Sequence, residues 1–399
     1  MHADPLLELE HAIWRAQPHE LISTTTDRVK AALGVTDAEV LLADYRMTAL
    51  VPVRPDVEPV RIDNTPAGHS FAAQQVVDER PGNGSAADQA YLVHLPLTVH
   101  GDRLGVLTVQ IPADPPSPEI RADLERVAGV LASAIKVADQ HVDVFRRARR
   151  RSRLTLAAEM QWELLPGRSC TTDEFHLAGQ LEPAYSVWGD NFDWSVAPDR
   201  LTLTVTNGMG SGTEAAALTH LAVSALRNAR RSGADITEQA SLADQTVYAQ
   251  HRGAKHVATL LLDFELATGR ARIVDAGSPQ LYRMRGTATE LVELEAQLPL
   301  GMFGDADYVA QDFQVEPGDR FVIVSDGVHG AKSPAGDLYG TLALKQTMRD
   351  TRLQDPSEAV RTFIRSYLDY HEGGEPLDDA VVVCLDWTGK TSNGAASPR

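Results

Sequence analysis

Cysteine is almost missing from this chain of 399 residues: Cys170 and Cys384 are its only two, far apart in sequence. That excludes a disulfide framework and points to a reducing compartment, so a cytoplasmic location is expected. Long apolar runs are lacking too. None approaches the ~20 residues a bilayer-spanning helix needs, and the longest, around 321–324 and 381–385, are strand-sized. The first residues, Met1-His2-Ala3-Asp4-Pro5, carry neither a basic leader nor a following apolar stretch, so no secretory signal is expected. Positive charge is in deficit, with 37 Lys and Arg against 55 Asp and Glu and a formal net charge of −18. Nucleic-acid binding needs a basic surface that releases counterions from phosphates, and an acidic membrane needs basic residues as well. Neither is an expected partner.

What is present suffices for real cores. The hydrophobic fraction is 43%, and the length suits two domains of ordinary size. Residues 6–34 carry apolar positions at helical spacing (Leu6, Leu9, Ile13, Trp14, then Leu21, Ile22, Val29, Leu33) with Gly34 as a stop. Strand-like runs follow at 39–42, 49–53, 91–99 and 104–111. The last two read as a hairpin around His100-Gly101-Asp102, and a helical segment is expected at 68–75. His69, His94 and His100 are weak candidates for metal or haem ligands, since isolated histidines are more often packed or solvated.

From 118 to 165 the spacing predicts one long helix. Leu124, Val127, Leu131, Ala134, Ala138, Val142 and Phe145 step by three and four, a heptad-like seam that would suit a parallel homodimer. The basic run at 146–153 reads as the solvated face of a connecting helix. Beyond it, strands at 201–206, 257–264, 271–275, 320–325 and 380–385 surround two helices at 214–231 and 236–251. The class is α+β. Residues 389–399 are small and polar, and a disordered tail is expected there.

Four short motifs sit at the ends of these apolar runs: Gly189-Asp190-Asn191-Phe192-Asp193, Asn207-Gly208-Met209-Gly210-Ser211-Gly212, Ser325-Asp326-Gly327 and Asp378-Asp379. Hard divalent cations take oxygen ligands, and a strand end beside a glycine delivers a carboxylate into a cleft while baring backbone carbonyls. The Asn207-Gly208 step is prone to deamidation, so a fraction of purified protein is expected to carry aspartate or isoaspartate there.

In this order the set resembles the metal-dependent protein phosphatases (PPM family) of the SpoIIE/RsbU branch, over roughly residues 155–388. Leu164-Leu165-Pro166, Asp275-Ala276-Gly277-Ser278-Pro279 and Pro299-Leu300-Gly301 are further landmarks. The resemblance implies a β-sandwich flanked by helices and phosphoserine or phosphothreonine hydrolysis at a two-metal site holding Mn²⁺ or Mg²⁺. It also implies a phosphorylated STAS-type anti-sigma-factor antagonist as substrate. Carried onto this chain it makes Asp190, Asn207, Asp326 and Asp378 the catalytic set and metal ligands, with Gly208 lending its carbonyl, while Asp193 and Asp379 stand behind them. Asn207 occupies the place of the bridging aspartate, Ser211 that of a histidine, and Ser278 that of another histidine expected to affect loop packing. The alternative is a pseudophosphatase, a signalling or scaffold protein with a degenerate two-metal site that keeps the fold and one cation but turns over slowly or not at all. The N-terminal pattern, ending in Leu95-Pro96-Leu97 and Gly105-Val106-Leu107, resembles a GAF sensory domain with a small-molecule ligand of unknown identity. The expected organisation is a GAF-like domain at 1–117, a helical linker at 118–165, a phosphatase domain at 166–388 and the tail.

Overall fold

The computed structural model describes residues 5–54, 57–80, 91–112, 115–150, 154–183, 187–372 and 376–389. The chain divides into two compact units, 1–153 and 154–399. The tail beyond Gly389 lies outside the described residues.

The N-terminal unit runs α1 (Pro5–Arg15), α2 (Leu21–Leu33), β1 (Asp37–Ala43), β2 (Ala49–Pro52), β3 (Val60–Arg61), α3 (Pro66–Ala73), β4 (Val77–Glu79), β5 (Tyr91–Val99), β6 (Asp102–Ile111), α4 (Pro118–Ala138) and α5 (Val144–Ala148). Its six strands form one antiparallel sheet in the order β3-β2-β1-β6-β5-β4. The β5–β6 hairpin turns at His100 (φ 50°) and Gly101 (φ 87°). Two successive left-handed residues match the twist of the strands they join. One face of the sheet buries Val40, Leu95, Leu107 and Val109 against α1, α2 and α4, while the other packs Leu41, Leu50 and Val106 on Phe71 of α3.

The single helix expected over 118–165 is not formed. It breaks after Ala138, resumes briefly as α5, and begins again at Leu156 in the second unit. The apolar seam has a different use from the one anticipated: Leu124, Val127, Leu131, Ala134, Ala138 and Phe145 are all buried in the core beneath their own sheet. These six residues already cover their own sheet, so they are not open to a second helix. Arg149 from the basic run donates to the Ala43 carbonyl (3.0 Å) and sits 5.5 Å over the Tyr45 ring. Its charge serves its own unit. His94 is buried between Thr108 Oγ1 (2.9 Å) and Glu79 Oε2 (3.0 Å) as a hydrogen-bonded core histidine.

The C-terminal unit runs α6 (Leu156–Leu164), β7 (Ser169–Thr171), β8 (Phe175–Glu182), β9 (Asp190–Val196), β10 (Arg200–Gly208), α7 (Gly212–Arg231), α8 (Ile236–His251), β11 (Val257–Glu265), β12 (Arg270–Ala276), β13 (Gln280–Arg285), β14 (Ala288–Leu291), β15 (Gln311–Gln314), β16 (Asp319–Val324), α9 (Asp326–His329), α10 (Ala343–Asp350), α11 (Pro356–Tyr370) and β17 (Ala380–Trp387). Two antiparallel sheets result, β15-β12-β11-β10-β9 and β14-β13-β16-β17-β8-β7. Alternate residues meet between them: Phe192, Leu203, Val205, Leu262 and Phe264 from one sheet, Phe175, Phe321, Ile323, Val383 and Trp387 from the other. Each such side chain contributes about 1.5–3 kcal/mol on burial. The opposite parity faces helices. Val322, Val324 and Val382 pack on Phe363 and Tyr367 of α11, while Leu261 and Val274 pack in the cluster holding Leu226 of α7 and Ala240 of α8. Strands buried on both faces explain why Val381-Val382-Val383 reads as an unbroken apolar run. The sandwich flanked by helices is therefore observed.

Candidate functional site

The four motifs converge because the strands carrying them end together. Asn207 is paired with Asp190 across β10 and β9, so the two side chains leave the same face of adjacent strands. Val324 is paired with Val382 across β16 and β17, which brings Asp326, just after β16, near Asp378 and Asp379, just before β17. Glycine makes the approach possible. Gly189 has φ +93°, and a Cβ on Gly327 would lie 1.9 Å from the Asp379 carbonyl oxygen, so the first turn of α9 can rest there only without a side chain.

Asp379 has its charge well supplied. Its Oδ2 accepts hydrogen bonds from Gln161 Nε2 (2.7 Å), Trp188 N (2.7 Å) and Gly189 N (3.0 Å). Gln161 Nε2 also donates to the Asp190 carbonyl (3.0 Å), and Thr219 Oγ1 of α7 donates to the Gly189 carbonyl (2.5 Å), so the loop leading into Asp190 is held from two helices. Ser325 ties β16 to β17 by donating its amide to the Val381 carbonyl (3.1 Å) and accepting the Val381 amide on Oγ (3.0 Å).

Asp190 is the opposite case. It is fully buried, and neither carboxylate oxygen has a hydrogen-bond partner of ordinary geometry. Burial pushes its carboxyl well above the usual range, and Asp379, Asp326 and Asp378 push it further, against a partial offset from the Ser325 hydroxyl. Asp378 is raised to about 7, first by burial and then by Asp326, with the Asp379 amide working the other way. Carboxylates that disfavour each other's charge in a partly dry cleft need a counter-cation or protons.

Asn207 has a direct role in that balance. Its Nδ2 donates to Asp326 Oδ1 in a short hydrogen bond and reaches Ser278 Oγ at 3.4 Å. Ser278 is therefore part of the site rather than only of its loop. Its carbonyl also pairs with His329 Nε2 (3.2 Å), whose imidazole is held below the ordinary range by burial. Ser211 occupies the N-cap of α7 without a capping hydrogen bond, exposed and outside this network. Asp193 points to the other face of its strand, where Arg227 Nη2 (2.8 Å) and Arg230 Nη1 (3.1 Å) bind it. Among the described residues, no three Asp, Glu, His or Cys side chains converge as a ready metal cage. The donor chemistry nonetheless fits a hard cation on the Asp190 side, where two buried acceptor oxygens lack donors. The Asp326 side is filled by an amide N–H, and the set has one carboxylate fewer than a pair of dications would use.

Gln161, Thr219, Ser325 and His329 were not anticipated from the sequence. None of the four carries a signal in the sequence, because each acts through a strand end or loop that only the tertiary fold brings to it.

Residues 197–388 match the family described as Stage II sporulation protein E (SpoIIE). The SiaA-PP2C domain of Pseudomonas aeruginosa superposes with a TM-score of 0.50 at 20% identity, covering 58% of this chain and 94% of that one. The RsbU and RsbW domains of Rv1364c from Mycobacterium tuberculosis superpose with a TM-score of 0.48 at 20% identity, covering 55% and 62%. Protein IcfG of Synechocystis sp. is 19% identical over 263 residues, 59% of this chain and 41% of that protein. The chain thus spans about two fifths of the length of this curated relative. The C-terminal unit has the PP2C-like phosphatase fold. Its residues 197–388 carry the SpoIIE-type match.

Proposed function

We propose that the C-terminal unit is a divalent-cation-dependent phosphatase for phosphoserine or phosphothreonine on a protein. A phosphorylated STAS-type anti-sigma-factor antagonist would be the substrate, and the N-terminal unit would act as a GAF-like sensor for a small molecule. The observation that carries this reading is Asp190, a fully buried carboxylate whose one polar neighbour of note, the Ser325 hydroxyl, makes no hydrogen bond of ordinary geometry to it, beside three further aspartates. Leaving such a group without a counter-charge costs several kcal/mol, which a structural role would not repay. Asp190, Asp326 and Asp378 would hold Mn²⁺ or Mg²⁺, with the Gly208 carbonyl and, if its amide turns over, the Asn207 oxygen. When bound, the cation would neutralise phosphoryl charge and lower the pKa of a bound water. The chain's own part is to hold the acceptors still: Gln161 and Thr219 fix the Gly189-Asp190 backbone, and the Ser325–Val381 bonds fix Asp326 relative to β17.

The Asn207–Asp326 hydrogen bond favours a second reading, a pseudophosphatase whose amide takes the place of the second cation. Titrating Mn²⁺ calorimetrically alongside a phosphopeptide assay separates the two. Cation binding with turnover supports the enzyme, cation binding without turnover supports the pseudophosphatase, and no cation binding refutes both assignments of the acidic cluster.

A further inference from the structure

A cavity of about 730 Å³ opens on the C-terminal unit away from the acidic cluster. Strand alternation separates the two sites. Asp190, Phe192 and Asn207 project from the inter-sheet face of β9 and β10, whereas Asp193 projects from the face covered by α7. The cavity is lined by Trp194 and by four arginines, Arg200, Arg227, Arg230 and Arg231. The same lining holds Asp193, Asp235 and Asp263, so the arginines outnumber the acids by one, in a chain whose net charge is −18.

Its acids are already engaged. Asp193, nearly fully buried, is shared by Arg227 and Arg230; Asp263 accepts from Arg200 Nη1 (2.7 Å); Asp235 caps α8 through the Thr237 and Glu238 amides. Arg231 is exposed and has no ion pair among the described residues. A guanidinium carries five N–H donors in a planar fork that matches two oxygens of one anion. Arg230 gives two of its donors to Asp193, and Arg227 gives donors to Asp193 and to the Leu164 carbonyl (2.6 Å). Several therefore remain for a ligand. Trp194 reaches the rim of the cavity, but its ring packs on the inter-sheet core and its indole N–H donates to the Gly167 carbonyl (2.9 Å), so the arginines carry the recognition. The volume lies within the ~300–1,000 Å³ usual for small-molecule sites.

We propose that this cavity is a second ligand site, taking a small molecule that carries a phosphate or related oxyanion and binding it through Arg230 and Arg231. Occupancy would compete with Asp193 for its guanidinium partners. The site does not depend on the acidic cluster being catalytic.

The test is calorimetric titration of inorganic pyrophosphate into the full chain in buffer stripped of divalent cations, where the acidic cluster repels anions. One saturable site is expected. Arg231→Gln should weaken it about tenfold and Arg231→Glu more, since each removes a charged hydrogen-bond donor; as Arg231 is exposed and unpaired, both variants should fold, checked by circular dichroism. Binding should persist in Asp326→Asn. The proposal is overturned if pyrophosphate does not saturate, if both Arg231 variants bind like the parent, or if Asp326→Asn abolishes binding. A hexaglutamate peptide competing at equal or higher affinity would overturn the small-molecule assignment in favour of an acidic polypeptide.

Discussion

Replacing Asn207 with aspartate changes one atom type and tests the whole electrostatic account of the cluster. In the native chain the amide donates to Asp326 Oδ1. The variant exchanges that attraction for a fourth close carboxylate beside Asp190, Asp326 and Asp378. Two unit charges about 4 Å apart repel by about 4 kcal/mol at an effective dielectric of about 20, and losing a hydrogen bond to a charged acceptor costs about 1.5–3 kcal/mol. Proton uptake caps the penalty, because a carboxyl raised from about 4 to about 7 has absorbed about 4 kcal/mol. Without divalent cations, then, Asn207→Asp should lose about 2–4 kcal/mol, a fall of about 5–15 °C in Tm for a domain of this size. With Mn²⁺ the order should reverse: the variant binds the ion at least about tenfold more tightly and gains more Tm than the parent. Differential scanning calorimetry with EDTA and with Mn²⁺ reads both. Equal stability of the two proteins in EDTA, together with no gain in Mn²⁺ affinity, would refute the reading of Asn207 as the residue that sets the cluster's charge.

Asp326→Ala should abolish most Mn²⁺ binding while leaving the fold intact, as read by calorimetry and circular dichroism. Gln161→Leu should destabilise the C-terminal unit by about 1–3 kcal/mol, because Asp379 and the Asp190 carbonyl lose a buried donor; urea unfolding measures it. Leu131→Glu should unfold the N-terminal unit without altering the oligomeric state, since Leu131 lies in an intrachain core; sedimentation together with circular dichroism decides. Asp235 is held down to about 2 by Thr237 Oγ1 and the Glu238 amide. A depressed carboxyl stabilises the fold above its unfolded value of about 4 and loses that contribution as pH falls through about 2. The stability difference between the parent and Asp235→Ala, about 1 kcal/mol for a half-exposed cap, should therefore shrink progressively below about pH 4 in acid unfolding curves.

The parts of the fold legible in the sequence were those where local chemistry and tertiary packing agree. Helices expected at 214–231 and 236–251 appear as α7 and α8, and the His100-Gly101 hairpin turns where its residues permit. Helix α11 was missed despite Asp355 as a capping residue, Pro356 at its first position and apolar residues at 359, 360, 363, 364 and 367. Strand β9 was missed because its start, Asp190-Asn191-Phe192-Asp193, is polar; its burial depends on α6 and α7, which no local pattern reveals. The motif order brought Asp190, Asn207, Asp326 and Asp378 into view together. What it did not contain was the direction of the Asn207 amide or the contributions of Gln161 and Thr219, which arise only when helices far apart in sequence close on one strand end. The seam in α4 shows the converse error: three-and-four spacing says that a helix has an apolar face but not what covers it.

The amide of Gly208 donates to the Gly189 carbonyl at 3.1 Å within the paired ends of β9 and β10. Deamidation of Asn207 requires that same nitrogen to attack the Asn207 side-chain carbon, expelling ammonia and closing a succinimide that water then opens. While the strands stay paired, the nucleophile is engaged and the extended backbone holds it out of reach. Conversion at this step should therefore be slow in the folded protein, contrary to the expectation from the dipeptide alone, and fast once the strand ends open. The Asn207-Gly208 bond thus works as an irreversible recorder of past unfolding: the fraction of aspartate and isoaspartate in an aged sample, read by peptide mass spectrometry, integrates the time its candidate site has spent open.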